Sequence, residues 1–361
     1  MSREAQARQP AVGHFVHTWL GLTETFIFQY VSRIRRFRPV VVCTGTSNLE
    51  QFPASPLALC PRPRRGTVSW AACGVAARVF ARRWPAADAF VRGRIAAAAR
   101  RHGLALMHAH FADGALFVLP VCRRLHLPLI TSFYGYDACQ SDLLDTHRAD
   151  YARLFREGDR FLVEGPRMMQ RVAGLGCPRD KLRIQHIAID LSRIPFRPRR
   201  APTGATPIRV LFVGRFVEKK GILDAIAAFG ATNGGRRSMQ LRLIGDGPLR
   251  PQVEALIKEL GLTSRASLLG YVPYERMVQE LARAHILLAP STTAPNGDAE
   301  GGAPTVLLEA QASGLPIVST KHADIPYVLA PAAAARLCDE GDLAGLAAAL
   351  EDTAGQPESW G

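Results

Sequence analysis

A chain of 361 residues has room for two domains of ordinary size. Apolar residues make up 48% and charged residues 21%, which excludes a wholly disordered chain. No run of eighteen apolar residues is free of charge, so no transmembrane helix is expected. The net charge of +14 is uneven: residues 1–200 hold 31 Lys and Arg against 14 acids, and residues 201–361 hold 14 against 17. A basic half suits nucleic acid, an anionic membrane surface or a phosphorylated substrate, and charge alone does not choose among them. The opening MSREAQARQPAVGHF has no apolar core of signal-peptide length, so a cytoplasmic location is expected. The seven cysteines, Cys43, Cys60, Cys73, Cys122, Cys139, Cys177 and Cys338, form no CxxC pair and read as reduced, mostly small core residues.

Strand-like runs alternate with helical patterns. Val12–His17 reads as a strand, Glu24–Arg36 as a helix, Val40–Thr44 as a strand, and Val68–Arg101 as an Arg- and Ala-rich helical region. Leu106–Phe111 and Pro128–Phe133 are strands around a helix at Gly114–Leu125. Asp150–Phe155 and Arg167–Leu175 are helices, with strands at Arg160–Glu164 and Leu182–Ile187. Residues 191–207, rich in proline and arginine, break the pattern and read as a linker between a first domain of residues 1–190 and a second of 208–361. In the second domain the strands are Ile208–Val213, Leu241–Ile244, Ser267–Leu269, Ile286–Ala289 and Ile317–Ser319. The helices are Ile222–Phe229, Leu249–Leu260, Tyr274–Ala284 and Thr305–Ser313, with another from Gly341 towards Leu350. Such alternation predicts two doubly wound α/β domains with parallel sheets, their ligands at the carboxyl ends of the strands and the cleft between them as the default site.

The strand Ile208–Val213 runs into Gly214-Arg215-Phe216-Val217-Glu218-Lys219-Lys220-Gly221. A strand, turn and helix start make an anion site, where Arg215 and Lys220 could clamp a diphosphate. It is not a Walker loop. Gly245 and Gly247 in LIGDGP permit close backbone approach. After Ala289-Pro290-Ser291, the run EGGAPTVLLEAQASGLPIVST places Glu300 in a glycine-rich loop and Glu309 in the following helix. Carboxylates accept forked hydrogen bonds from vicinal hydroxyls, so two of them bracketing a helix start can hold a ribose and a sugar around a diphosphate.

At these residues the sequence resembles the retaining nucleotide-sugar glycosyltransferases of glycosyltransferase family four, which have the GT-B fold. VGRFVEKKG, LIGDGP, LLGYVP, LLAPS and EGGAPTVLLEAQASGLPIVST stand in that family's order. The resemblance runs from about Val12 to Leu350, strongly after Arg209 and loosely before it. It implies two Rossmann-like domains facing across a cleft. Sugar would pass from a nucleotide diphosphate sugar, such as a UDP- or GDP-sugar, to a hydroxyl of a glycan or lipid-linked glycan, with retention and without metal or other cofactor. It puts Arg215 and Lys220 on the donor diphosphate, Glu309 on the ribose and Glu300 near the donor sugar. Gly301, Gly302, Pro304, Thr305 and Val306 would lie near sugar and phosphates, with Ser291 beside them. Gly214, Gly245, Tyr271 and Val272 would lie near the nucleotide. Such a family also implies a role in making surface polysaccharide or glycolipid. The competing readings are a nucleotide-sugar epimerase on the same fold and a non-catalytic subunit that binds nucleotide-sugar or glycan.

Two departures bear on these roles. Eight residues separate Glu300 from Glu309 where relatives have seven, and Tyr134 stands where many relatives have a histidine that contacts the donor. His108-Ala109-His110 ends a strand, with His110 nearer the expected cleft; it reads equally as a satisfied buried histidine. A metal there would need further ligands, and none is spaced to join. The loop at residues 19–26 keeps only Gly21; Thr23 reads as a helix cap, and Glu24 either as a complement to the helix dipole or as an acceptor base. Arg78, Arg82, Arg83, Arg92, Arg94, Arg100 and Arg101 lie among aromatics in residues 68–101, a pattern suited to an anionic bilayer or to a solvated helical face. No nucleic-acid signature is present. Residues 358–361 resemble the start of the family's closing helical region, which is expected to be absent or truncated.

Overall fold

The computed structural model describes residues 9–21, 24–63, 85–200, 202–203, 206–232, 238–330, 336–356 and 360. The chain separates into two compact units: Met1–Ala138 with Leu143–Val163 and Met169–Ala188, and Ile189–Gly361 with the short segments Cys139–Asp142 and Glu164–Met168.

The first unit follows the chain through β1 (Ala11–Trp19), α1 (Thr25–Ser32), β2 (Arg38–Thr46) and β3 (Leu57–Leu59). Next come α2 (Pro85–His102), β4 (Leu104–His110), α3 (Ala112–Leu125) and β5 (Leu129–Ser132). Short helices α4 (Tyr136–Cys139) and α5 (Ser141–Thr146) precede α6 (Arg148–Glu157), β6 (Arg160–Val163), α7 (Pro166–Gly174) and β7 (Leu182–Ile184), with residues 139–142 and 166–168 of this stretch grouping with the second unit. The sheet order is β3-β2-β1-β4-β5-β6-β7, parallel throughout. The order reverses between β1 and β4, and at such a point the loops leaving neighbouring strands diverge and open a crevice. Helix α1 stops at Ser32, short of the expected Arg36, because the chain there turns into β2 at Arg38. Helix α2 buries Val91, Ile95, Ala96 and Ala99. Arg92 in it donates to the Phe117 carbonyl at 2.9 Å and lies 4.9 Å from that residue's ring, so its charge is used inside the unit, while Arg94, Arg100 and Arg101 are exposed. The amino-terminal part of the expected basic region, with Arg78, Arg82 and Arg83, lies outside the described residues, as does Thr23.

The second unit contains β8 (Ile208–Val213), α8 (Ile222–Ala231), β9 (Met239–Ile244), α9 (Arg250–Glu259) and β10 (Ala266–Gly270). It continues with α10 (Tyr274–Arg283), β11 (Ile286–Ala289), α11 (Thr305–Ala312), β12 (Ile317–Thr320), α12 (Ile325–Val328), β13 (Leu337–Cys338) and α13 (Leu343–Gly355). Its order is β10-β9-β8-β11-β12-β13, again parallel, with the switch between β8 and β11. Strands buried on both faces must be apolar at every position. Accordingly Val210 and Phe212 pack into one core with Ile226 and Phe229, while Leu211 packs into the other with Leu287, Leu307 and Ile317. The stretch read as a linker is fastened to this unit. The Arg199 guanidinium donates to the carbonyls of Leu281, Ala282 and Ser313, where a cation meets the negative ends of two helices. Trp360 is buried, and its Nε1 donates to the Thr353 carbonyl at 2.6 Å. Among the described residues no cysteine is in a disulfide, and all but Cys338 are buried.

The carboxyl ends of β8 and β11 are held close by Gly221. Its φ is +62°, and a Cβ there would lie 1.8 Å from the Pro290 carbonyl oxygen. Gly221→Ala must therefore move backbone, and it is expected to lower stability by on the order of 3 kcal/mol. Urea denaturation of the variant reads this directly; an unchanged midpoint would mean that the two strand ends are not locked together.

Candidate active site

The β8–α8 turn carries three charged side chains with different fates. Arg215 is exposed. Lys219 is buried, and its Nζ donates to Asp298 Oδ1 at 2.9 Å and to the Ala299 carbonyl at 3.2 Å, tying down the loop after β11. Lys220 Nζ meets Glu300 Oε1 at 2.7 Å. Glu300 is 8% exposed. Burial works against its charge, but Lys220 and then Lys219 outweigh it and hold the carboxyl below the usual carboxylate range. Ser291, also buried, donates a long 3.4 Å bond to Glu300 Oε1. Sequence reasoning chose Lys220 for this site and passed over Lys219.

Backbone closeness explains the glycines. Gly245 has φ +134°, and a Cβ on it would stand 1.8 Å from the Gly214 carbonyl oxygen, so the ends of β8 and β9 touch through bare backbone. Gly302 leaves room for Glu164, whose Oε2 would lie 2.4 Å from a Cβ there. The Asp324 N–H donates to the Gly302 carbonyl at 2.9 Å, and its carboxylate accepts from the amides of Arg167 and Met168. Gly301, Gly302 and Pro304 are buried, and Thr305 and Val306 open α11. One turn further, Glu309 is 5% exposed beside Tyr274 and Arg193. Burial pushes its carboxyl up to about 7, against the pull of the Tyr274 hydroxyl and the Arg193 guanidinium. Arg193 stacks 4.3 Å from the Tyr274 ring centre and pairs with Glu275. Tyr271 is exposed and donates to the Asp246 carbonyl at 3.1 Å, and Val272 packs against the core beside it.

In the first unit the four candidates gather at the carboxyl ends of β1, β4 and β5. The Tyr134 hydroxyl bonds His110 Nδ1 at 2.8 Å, and the two rings are near-parallel at 5.9 Å. Phe26 of α1 meets the Tyr134 ring at 4.8 Å. Glu24 does not point into open space: its Oε2 accepts from the Gly21 amide at 2.7 Å and closes its own loop. The turn after β5 is set by Asp137, whose carboxylate accepts from the amides of Tyr134, Gly135 and Ala112.

The expectation that nothing joins the two histidines needs correcting. Parallel pairing sets His14 of β1 opposite His108, and the ring nitrogens of His14, His108 and His110 lie within 4.8 Å of one another. Spacing along one strand could not reveal a partner supplied by its neighbour. The rings of His108 and His110 stack at 4.5 Å and 26°, however, and in-plane lone pairs on stacked rings do not converge on one ion. The trio is better described as hydrogen-bonded within the fold: His14 Nδ1 meets His110 Nε2 at 3.2 Å, His110 Nδ1 meets the Tyr134 hydroxyl, and His108 Nε2 meets the Ser132 hydroxyl at 2.8 Å. Burial pushes His108 down to about 4 and lowers His14 and His110 as well, so all three stay neutral.

The family model described as Glycosyltransferase Family 4 matches residues 23–193, and that described as Glycosyl transferases group 1 matches residues 207–355. The chain belongs to this family of glycosyltransferases. It is 33% identical over 222 residues to the colanic acid biosynthesis glycosyltransferase WcaL of Escherichia coli, covering 62% of this chain and 54% of that protein. It is 33% identical over 245 residues to the amylovoran biosynthesis glycosyltransferase AmsK of Erwinia amylovora, covering 68% and 60%. The matches thus span little more than half the length of these relatives. Among solved structures, Anabaena HepE in complex with UDP and glucose superimposes with a TM-score of 0.73 at 15% identity, over 97% of this chain and 91% of that one. WaaG, a glycosyltransferase involved in lipopolysaccharide biosynthesis, gives 0.67 at 15%, over 97% and 92%. The fold is therefore of the GT-B class, with two parallel-sheet α/β domains.

Glu309 supplies a pH test. The unfolded chain releases this proton near 4.5, the folded protein near 7. Between those values the folded state holds a proton that the unfolded chain has lost, so stability falls as pH rises through that window. The loss is on the order of 3 kcal/mol. Glu309→Gln is expected to flatten that part of the curve relative to the parent protein in denaturation at pH 4.5 to 8. Parallel curves would show that Glu309 ionises normally.

Proposed function

We propose that the chain transfers a hexosyl unit from a nucleotide diphosphate sugar to a hydroxyl of a glycan or lipid-linked glycan, with retention of configuration, in the assembly of a surface polysaccharide or glycolipid. The observation that carries this reading is the Lys220–Glu300 pair at the switch point of the second sheet, with Arg215 on the same turn and α11 opening directly after the glutamate's loop. A leaving diphosphate develops charge as the glycosidic bond breaks, and preorganised cations stabilise that charge without a metal ion. Arg215 and Lys220 take this role. The amides at the start of α11, reached through Gly301, Gly302, Pro304, Thr305 and Val306, face the phosphates and the sugar. Glu309 accepts the ribose hydroxyls, and its ionised form is the better acceptor, so nucleotide binding draws off its proton. Gly214, Gly245, Tyr271 and Val272 border the nucleotide, and Ser291 supports Glu300.

The acceptor belongs to the first unit, near Gly21, Glu24, His110 and Tyr134. Tyr134 offers a hydroxyl and a ring but no titration near neutrality, so it orients and does not shuttle protons. With no side-chain nucleophile assigned, the leaving phosphate itself accepts the acceptor proton on the front face. The names of the relatives, two in polysaccharide biosynthesis and LpsE of Rhizobium meliloti in lipopolysaccharide core biosynthesis, support the acceptor class. No described helix is long and apolar enough to cross a membrane. Exposed Arg94, Arg100 and Arg101 suit peripheral contact with an anionic bilayer at the cytoplasmic face.

The test is release of free nucleotide from a panel of UDP- and GDP-sugars, with and without glycan acceptors, in EDTA. At least one donor should turn over. Lys220→Ala should then lose roughly 10²–10³-fold in kcat, the scale for removing a preorganised charge-stabilising donor. Glu309→Ala should instead weaken nucleotide binding by about 1.5–3 kcal/mol. Tight binding of a nucleotide-sugar with no turnover would identify a binding subunit, and a strict metal requirement would overturn the cation assignment.

A further inference from the structure

His322 follows β12 and is 2% exposed. Its two ring nitrogens are both engaged. The backbone N–H of Glu300 donates to Nε2 at 3.1 Å, and Nδ1 lies 2.7 Å from Glu340 Oε1. An amide can only donate, so Nε2 must accept and the ring proton must sit on Nδ1, where Glu340 receives it. The tautomer is thus fixed from both sides. The other oxygen of Glu340 accepts from the Thr293 amide at 2.7 Å and from the Thr292 hydroxyl at 3.3 Å. Burial works against the Glu340 charge, but the bonds from His322 and Thr293 hold its carboxyl below the usual range.

One carboxylate from the turn between β13 and α13 therefore holds both ends of the loop between β11 and α11. It takes the first end directly, at Thr292 and Thr293, and the last end through His322, at Glu300. Between those points Lys219 pins Asp298 and Ala299, and just ahead of them the Thr320 hydroxyl donates to the Ser291 carbonyl. The side chain of Glu300 meets Lys220 from the other direction. Its backbone height is set by His322, and its carboxylate by Lys220.

We propose that His322 and Glu340 form a positioning pair that fixes Glu300 against Lys220 and thereby sets the rate of sugar transfer without touching the donor. This rests on the reading of the Lys220–Glu300 site as the donor site, and it adds residues that neither the motifs nor the spacing identified. Both act through Glu300: His322 accepts from its backbone N–H, and Glu340 acts by way of His322. A misplacement of about 1 Å at a reacting group costs on the order of 10²-fold in rate, which sets the scale of the effect.

The experiment uses the full chain with His322→Ala and His322→Gln, three readouts being taken on each. In His322→Ala, kcat for donor turnover should fall roughly 10- to 100-fold, while calorimetric affinity for the nucleoside diphosphate is not weakened, because Glu309, Arg215 and Lys220 are untouched. His322→Gln keeps an acceptor where Nε2 stood and should recover most of the loss. Hydrogen exchange of the Glu300 amide, followed by NMR, should speed up in His322→Ala and return towards the parent rate in His322→Gln. Unchanged kcat with unchanged exchange in a folded His322→Ala protein would overturn the proposal, and so would equal losses in the two variants. If the parent turns over no nucleotide-sugar, the functional reading fails, and exchange at Glu300 still decides whether His322 holds it. If His322→Ala does not fold, Glu340→Gln takes its place: one amide oxygen cannot serve both His322 and Thr293, so exchange at Glu300 or Thr293 must rise, and unchanged protection at both refutes the pair.

Discussion

The second unit is organised around a charge pair that burial makes costly. Lys220 and Glu300 have side chains 18% and 9% exposed, and taking such ions out of water costs several kcal/mol each before attraction returns any of it. Such a pair adds little to stability compared with apolar residues of equal volume. It does keep a cation in place, dry and partnered, at the carboxyl end of β8. On the proposed reading, an arriving diphosphate would offer Lys220 more negative charge than one carboxylate does, and the cation would be shared or transferred without rebuilding the site. That is what preorganisation means for a group that must meet charge developing on a leaving phosphate.

The neighbouring structure follows from holding this pair in register. Gly221 lets the turn after β8 reach the end of β11, and Gly245 lets β9 reach Gly214. Lys219 spends its charge on the loop that carries Glu300, so adjacent lysines divide into one that builds the loop and one that faces its acid. His322 and Glu340 complete the loop from the far side. The first unit uses different means towards a similar end. Its switch-point histidines are held neutral by burial, and hydrogen bonds link His14, His110 and Tyr134.

Much of this was legible in the sequence. Ile208–Val213 and Ile286–Ala289 fold with the expected bounds, because strands buried on both faces leave uninterrupted apolar runs. Strands as short as Leu57–Leu59 and Leu337–Cys338 leave no such trace, and the helices at Tyr136–Cys139 and Ser141–Thr146 follow a turn set by Asp137 and not by periodicity. The motif residues Lys220 and Glu300 meet in an ion pair that their pattern does not specify. The residues that hold them were not visible. His322 lies 22 positions from Glu300 and Glu340 a further 18, while Asp324 caps a segment 157 positions away. His14 was hidden for the same reason, since a parallel register joins residues that no local spacing relates. Charged or polar side chains in otherwise apolar surroundings are the one sequence signal such residues leave, and it does not name their partners.

On the proposed reading, Glu300 and a donor diphosphate compete for Lys220. The most direct measurement is a double-mutant cycle on nucleoside diphosphate affinity, by calorimetry, across the parent protein, Lys220→Met, Glu300→Gln and the double variant. Glu300→Gln should bind the diphosphate at least as tightly as the parent, because it frees the lysine, and Lys220→Met should bind it more weakly. In the double variant the gain from Glu300→Gln should vanish, since no cation remains to be freed. Additive effects, or weaker diphosphate binding on loss of Glu300 alone, would contradict the claim that the two anions share one cation.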